Sequence, residues 1–158
     1  MKINLTTMSS ENYKEYLSLA VPDYAKDKVE AGTWQTDEAE ELSLQSFNNY
    51  LPDGVETANQ YLFSIVDSAI EKIVGYLWIH LDKNGASPKI FVYDFIIFEE
   101  FRNKGYGKNS LTELEKYAKS IDVTEIGLHV FAHNKIALHT YEKNGFIPTD
   151  ITMVKRIL

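Results

Sequence analysis

The chain has 158 residues, no cysteine, and a formal net charge of −7 from 16 basic and 23 acidic side chains. That length suits one domain over residues 1–158, able to remove roughly 70% of its unfolded surface from water. The composition excludes a disordered chain, a disulfide scaffold, a thiolate metal site and a cysteine nucleophile, and the acidity argues against a nucleic-acid partner.

In chain order, Ile3 and Leu5 alternate with polar neighbours in a first strand, after a start with no apolar leader. Ser9 or Ser10 then caps a helix with Tyr13, Tyr16, Leu17, Ala20, Val21 and Tyr24 at helical spacing. Pro22 is expected to kink or split that helix, and Gly32 to end it. A second helix opens at Thr36 or Asp37, with Asp37 and Glu40 as a capping box and Leu44, Phe47 and Leu51 as its inner face. Three strands follow, over 61–66, 73–81 and 89–98, joined by polar turns. A helix over 105–120, a strand over 126–130, a helix over 134–143 and two short strands within 146–158 complete the pattern. The order βααβββαβαββ makes an α/β fold with helices on a mixed central sheet. The longest apolar stretch, Ile90 to Phe98, is interrupted by Asp94 and too short to cross a bilayer, so the expectation is a cytoplasmic protein with no membrane partner.

The turn after the fourth strand carries the most chemistry. Arg102, Lys104 and Lys108 surround Gly105 and Gly107 where a helix begins. Free amides at a helix N-terminus, its dipole and three nearby cations suit phosphate oxygens. A Walker loop fails because Arg102 and Asn109 stand where glycine and Ser/Thr are needed. A dinucleotide fingerprint fails because Ser110 replaces its third glycine and no βαβ unit precedes it.

The run Arg102-Asn-Lys-Gly-Tyr-Gly107 resembles the Arg/Gln-x-x-Gly-x-Gly/Ala signature of the GCN5-related N-acetyltransferases (GNAT). Asn134-x-x-Ala137-x-x-x-Tyr141-x-x-x-Gly145-Phe146 is similar to the family's second landmark, and the element order matches its fold along essentially the whole chain. Segments such as Ala31-Gly-Thr-Trp34 and Tyr76-Leu-Trp-Ile-His80 are similar to small bacterial YycN-type members.

The resemblance implies acetyl-CoA as donor and direct transfer to an amine acceptor, a small molecule or a protein. It puts the pyrophosphate on the amides of Asn103, Lys104, Gly105, Tyr106, Gly107 and Lys108 beside Arg102, and the pantetheine arm along Phe95, Ile96 and Ile97. By the same resemblance the Phe95 amide polarises the thioester carbonyl, Tyr141 protonates the departing thiolate, and Asn134 and Ala137 contact the cofactor. The base is open. Tyr93 stands where some relatives have glutamate, and alternation points Asp94 to the face opposite Phe95 and Tyr93, as a structural acceptor unless a bulge re-aims it. His80 could relay through water. His129, His133 and His139 do not share one predicted face, so no metal is expected.

Residues 1–60 hold 11 acidic and 4 basic side chains, which is the whole excess of negative charge. The resemblance also implies that the first two helices and their connection form one lip of the acceptor site. That acidity, with Tyr24, Trp34 and Tyr93 as candidate contacts, suggests a cationic amine. A non-catalytic acyl-CoA sensor is the alternative, and a homodimer is left open.

Overall fold

The computed structural model describes residues 1–157 and builds one sheet from β1 (Ile3–Thr7), β2 (Gln60–Asp67), β3 (Lys72–Asp82), β4 (Lys89–Ile97) and β5 (Ile126–Leu128). The strands lie side by side in chain order, antiparallel except for β4 and β5, which run parallel. Helices α1 (Ser10–Glu30), α2 (Ala39–Tyr50), α3 (Tyr106–Ser120) and α4 (Lys135–Lys143) complete the mixed α/β architecture expected from the pattern. No helix among the described residues is long and apolar enough to cross a membrane.

Period-2 alternation divides the sheet residues between two cores. Ile65, Leu77, Ile79 and Val92 pack with Leu114 and Ala118 of α3, while Leu62, Tyr76 and Trp78 pack with Tyr16, Ala20 and Phe47 of α1 and α2. Ser9 caps α1 by accepting the Asn12 amide. The helix ends in a Schellman pattern, with Gly32 N–H donating to Val29 O and Thr33 N–H to Lys28 O.

Pro22 does not split α1, which runs unbroken from Ser10 to Glu30. Burial of Tyr16, Ala20, Val21 and Ala25 along one side holds the helix against a local cost of about 3 kcal/mol. The second helix starts at Ala39, later than the expected Thr36 or Asp37, and no capping box forms. Glu38 instead accepts the Gln35 amide, and the buried face is Ala39, Ser43 and Phe47, leaving Leu44 exposed. β5 stops at Leu128 rather than Val130, because its ladder with β4 ends there. The two strands expected within 146–158 do not form among the described residues: 146–157 lie in no helix or strand, and position 158 is outside them.

Two local features of the β3–β4 pair shape the site. The register passes from Ile79↔Val92 to Trp78↔Asp94, so Tyr93 is an extra residue, a bulge in β4. Gly75 lies opposite Ile97, and a Cβ there would collide with the Ile96 carbonyl oxygen. Backbone cannot rotate out of the way as a side chain can. Gly75→Ala is therefore expected to destabilise the fold by about 3 kcal/mol, read as a lower urea midpoint at unchanged slope. An unshifted midpoint would show that the two strands have slack at this point.

Candidate active site

The parallel ladder between β4 and β5 runs from Ile90↔Ile126 to Val92↔Leu128 and stops, while β4 continues to Ile97. Over 93–97 the β5 side of β4 has no strand neighbour among the described residues. Such a split offers backbone donors and acceptors to an extended ligand arm. Phe95 and Ile97 pack toward the α3 side and Ile96 toward α1 and α2, so the walls around that edge are apolar.

Just beyond β4, the chain turns into α3 through two left-handed residues, Asn103 (φ 60°) and Gly105 (φ 89°). Gly105 is the N-cap and supplies no side-chain hydrogen bond, so the first-turn amides of α3 have no capping side chain. A Cβ added at Gly107 would have only Thr140 of α4 near it, at 3.8 Å. Backbone on this face is open to approach by a polyanion.

Two of the three expected cations brace the turn itself. Arg102 Nε donates to the Ile97 carbonyl at 2.9 Å, and Lys104 Nζ donates to the Glu100 carbonyl at 2.7 Å. Tyr106 is buried, with its hydroxyl donating to Asp67 Oδ2 at 2.8 Å. Asp67, 1% exposed, also accepts the amides of Lys2 at 2.9 Å and Ala69 at 3.0 Å. The Lys2 amide first, then the Tyr106 hydroxyl and the Ala69 amide, hold its carboxyl below the usual range despite burial. Only the backbone of Tyr106 therefore faces the cradle; its side chain anchors the turn. Asp67 escaped the sequence reading because it lies 39 residues away, a lone acid closing an apolar strand.

The bulge at Tyr93 decides where the acid of β4 points. Tyr93 stacks on Trp78 with ring centroids 4.9 Å apart, and Asp94 pairs across from Trp78, so both sit on the α1–α2 side. The expected alternation fails for this pair: Asp94 opposes Phe95 but shares a face with Tyr93. Tyr16 of α1 donates its hydroxyl to Asp94 Oδ2 at 2.6 Å, and the Phe95 amide donates to Oδ1 at 3.0 Å. Burial pushes the Asp94 carboxyl up to about 6; the two hydrogen bonds oppose the rise, and the charges of Asp23 and Asp27 add to it.

Tyr141 of α4 packs its ring 6.5 Å from that of Phe95 and 5.6 Å from that of Phe146. Burial first, and then the charge of Asp94, push its phenol up to about 12. A phenol and a carboxylate with a raised pKa thus both stand at the split edge, Asp94 within the unpaired stretch and Tyr141 beside its Phe95. His80 sits further along β3, opposite Phe91. Gln60 accepts from Trp78 Nε1 at 2.7 Å, so its amide group donates to His80 Nδ1 at 2.9 Å and leaves the proton on Nε2. Asn134 caps α4, its side chain accepting the Ala137 amide at 3.3 Å.

On the α1–α2 side, Tyr24 and Trp34 meet edge to face at 5.5 Å. Their faces already carry a cation of the chain, with Lys28 Nζ at 5.6 Å from the Tyr24 ring and 5.3 Å from the Trp34 ring. Asp23, Asp27 and Glu30 follow one another at intervals of four and three residues along α1, one side of the helix. The three candidate histidines do not gather. His133 Nε2 lies 3.0 Å from Asp27 and 3.6 Å from Glu30, His129 packs edge-on to Phe131, and His139 is exposed.

Comparison with known proteins agrees with this geometry. Residues 16–146 match the model of the Acetyltransferase (GNAT) family. The chain is 41% identical over 157 residues to the uncharacterised N-acetyltransferase YycN of Bacillus subtilis (strain 168), covering 99% of this chain and all of that one. It is 33% identical over 157 residues to a second uncharacterised N-acetyltransferase of that organism, YdgE, covering 99% of each. The crystal structure of Bacillus subtilis YycN matches with a TM-score of 0.94 over 99% of both chains. The split β4 edge, the uncapped glycine turn opening α3 and this likeness along the whole chain lead to one assignment: the chain belongs to the GNAT family of acetyltransferases.

Proposed function

We propose that the protein transfers the acetyl group of acetyl-CoA directly to the amine of a cationic acceptor, a small molecule or a protein. The observation that carries this reading is that Asp94 lies in the unpaired stretch of β4 and Tyr141 packs 6.5 Å from its Phe95, just before the chain turns into the α3 N-terminus. The residues present fit the donor. Amides at the start of α3 suit the pyrophosphate, with Lys108 as an additional cation, and the free edge of 93–97 suits the pantetheine arm. When bound, the donor supplies an activated thioester.

Each residue then has a distinct task. Asp94, with its pKa near 6, is ionised at neutral pH and takes the proton that the attacking amine must lose, directly or through water. Tyr141 stays protonated throughout the physiological range and gives its proton to the departing sulfur. The Phe95 amide, once released from the Asp94 carboxylate, is the donor suited to the developing oxyanion. Asp23, Asp27 and Glu30 make one side of α1 anionic and favour a positively charged acceptor; Lys28 covers the Tyr24–Trp34 pair and His133 contacts Asp27 and Glu30, which makes Asp23 the carboxylate of the stripe best suited to an acceptor cation.

Thiol release from acetyl-CoA across a panel of cationic, neutral and anionic amines tests the reading. The protein has no cysteine, so a thiol reagent sees only product. Acceptor-dependent release, fastest with cationic amines and weakened by salt, is the expected result. Tight acetyl-CoA binding without release on any amine would replace catalysis by a sensing role.

A further inference from the structure

The C-terminal half of α1 and the loop between β5 and α4 bring three metal-ligating side chains to one point. Asp27 and Glu30 are three residues apart on α1, so their carboxylates leave the same side of the helix. His133 reaches them from the loop, with Nε2 at 3.0 Å from Asp27 Oδ1 and 3.6 Å from Glu30 Oε2. The nitrogen and one oxygen of each carboxylate lie within 4.8 Å of one another. Sequence spacing hides this group, because its histidine gathers with acids of a distant helix rather than with His129 or His139.

The scaffold around the three is built by contacts of its own. The His133 ring stacks on Phe131 at 5.4 Å and 20°, and Phe131 packs against Tyr24 of α1. The Asn134 amide donates to the Phe131 carbonyl at 2.9 Å and the Lys135 amide to the His133 carbonyl at 3.0 Å, which fixes the loop. What the group lacks is positive charge. A neutral imidazole nitrogen can serve only one of the two carboxylates, and a protonated ring sets one charge against two. Lys28, next in the chain to Asp27, lies over the Tyr24 and Trp34 rings instead, and Arg156 donates to the Gly32 carbonyl at the end of α1. Among the described residues neither Asp27 nor Glu30 has an ion pair with lysine or arginine.

We propose that Asp27, Glu30 and His133 bind one divalent transition-metal ion, Zn2+ by their chemistry, which ties α1 to the start of α4. One imidazole nitrogen with two carboxylate oxygens suits a borderline ion, whereas Ca2+ and Mg2+ prefer oxygen alone and Cu+ prefers the thiolate this chain lacks. Ligands about 2.1 Å from one ion stand roughly 3.0–3.4 Å from each other, so His133 and Asp27 are already spaced as neighbours in such a sphere. Glu30, the most exposed of the three, closes the remaining gap by turning its side chain. Water completes the coordination. Asn134, the next residue, caps α4, so the ion fixes against α1 the helix that carries Tyr141. The inference does not depend on the proposed reaction, and a failure of either leaves the other standing.

The full chain, stripped with a chelator and titrated with zinc chloride in a calorimeter, is expected to take up one ion per copy with a Kd of about 10 μM or below. Zinc at about 100 times that Kd is expected to raise Tm by roughly 5 °C. His133→Ala and Asp27→Asn should each weaken uptake about 100-fold, and abolish the rise in Tm. Glu30→Gln changes an exposed side chain and keeps the fold, so its expected loss of about tenfold holds even if the other two variants unfold. His129→Ala and His139→Ala should bind zinc as the wild type does. No saturable uptake, uptake that survives both His133→Ala and Glu30→Gln, or uptake that is lost with His129 or His139 instead, overturns the proposal.

Discussion

Asparagine in place of Asp94 is expected to lower turnover about 100- to 1,000-fold, while acetyl-CoA affinity changes little. The variant keeps an acceptor for the Tyr16 hydroxyl, which reaches Asp94 Oδ2 at 2.6 Å, so α1 remains docked on β4. In the wild type, kcat/KM should rise with pH through about 6 as the carboxyl loses its proton, and the variant should lose that limb. Stability should respond in the opposite sense. Burial raises the folded pKa to about 6, above an unfolded value near 3.9, so the folded state binds this proton more tightly. The resulting stabilisation is present at acid pH and disappears as pH rises through 6. At pH 8 the ionised carboxylate costs up to about 3 kcal/mol; Asp94→Asn escapes that cost but cannot accept from both the Tyr16 hydroxyl and the Phe95 amide, so its stability relative to the wild type should be better at pH 8 than at pH 5. Urea unfolding at pH 5 and pH 8, beside a pH–rate profile, separates the two effects. Wild-type turnover in the variant, or an acid limb near pH 6 that survives the substitution, would sink the assignment of Asp94 as base.

Phenylalanine at Tyr141 is expected to lower turnover about 100-fold and to leave acetyl-CoA dissociation unchanged. The substitution preserves the ring that packs against Phe95 and Phe146, and removes only the hydroxyl. Since the phenol is pushed up to about 12, wild-type activity should show no alkaline loss from this group below roughly pH 11. First-turnover measurements of thiol release are needed, because slow product release could hide a chemical defect. Equal single-turnover rates in the two proteins would remove Tyr141 from the proton path.

These two residues were unequally legible. Tyr141 stands four residues after Ala137 in a helical landmark, and helical spacing is local, so its place survived into the structure. Asp94 was visible only as the single acid in an apolar strand, and strict alternation sent it away from Tyr93. One extra residue in β4 reverses that relation, and nothing in the composition of 89–98 marks a bulge at Tyr93. The glycine turn was legible for the reason that helix starts usually are: its amides, φ angles and cations all lie within seven residues. What holds it was not, because Asp67 reaches Tyr106 from another strand. Likewise, the acid surplus of residues 1–60 was countable, but the capture of the Tyr24–Trp34 faces by Lys28 depends on how α1 ends.

Sequence alone determined the element order as far as α4, the helix opened by Gly105 and Gly107, and the segregation of negative charge into the first 60 residues. Those properties follow from neighbours in the chain, through propensity, periodicity and backbone freedom. Tertiary structure decided that α1 persists through Pro22, that β4 bulges and parts from β5 after Val92, and that 146–157 stays outside the sheet. Each of these outcomes balances a local preference against burial or pairing with residues distant in sequence. That balance sets the charge state of Asp94 and leaves the β4 edge open.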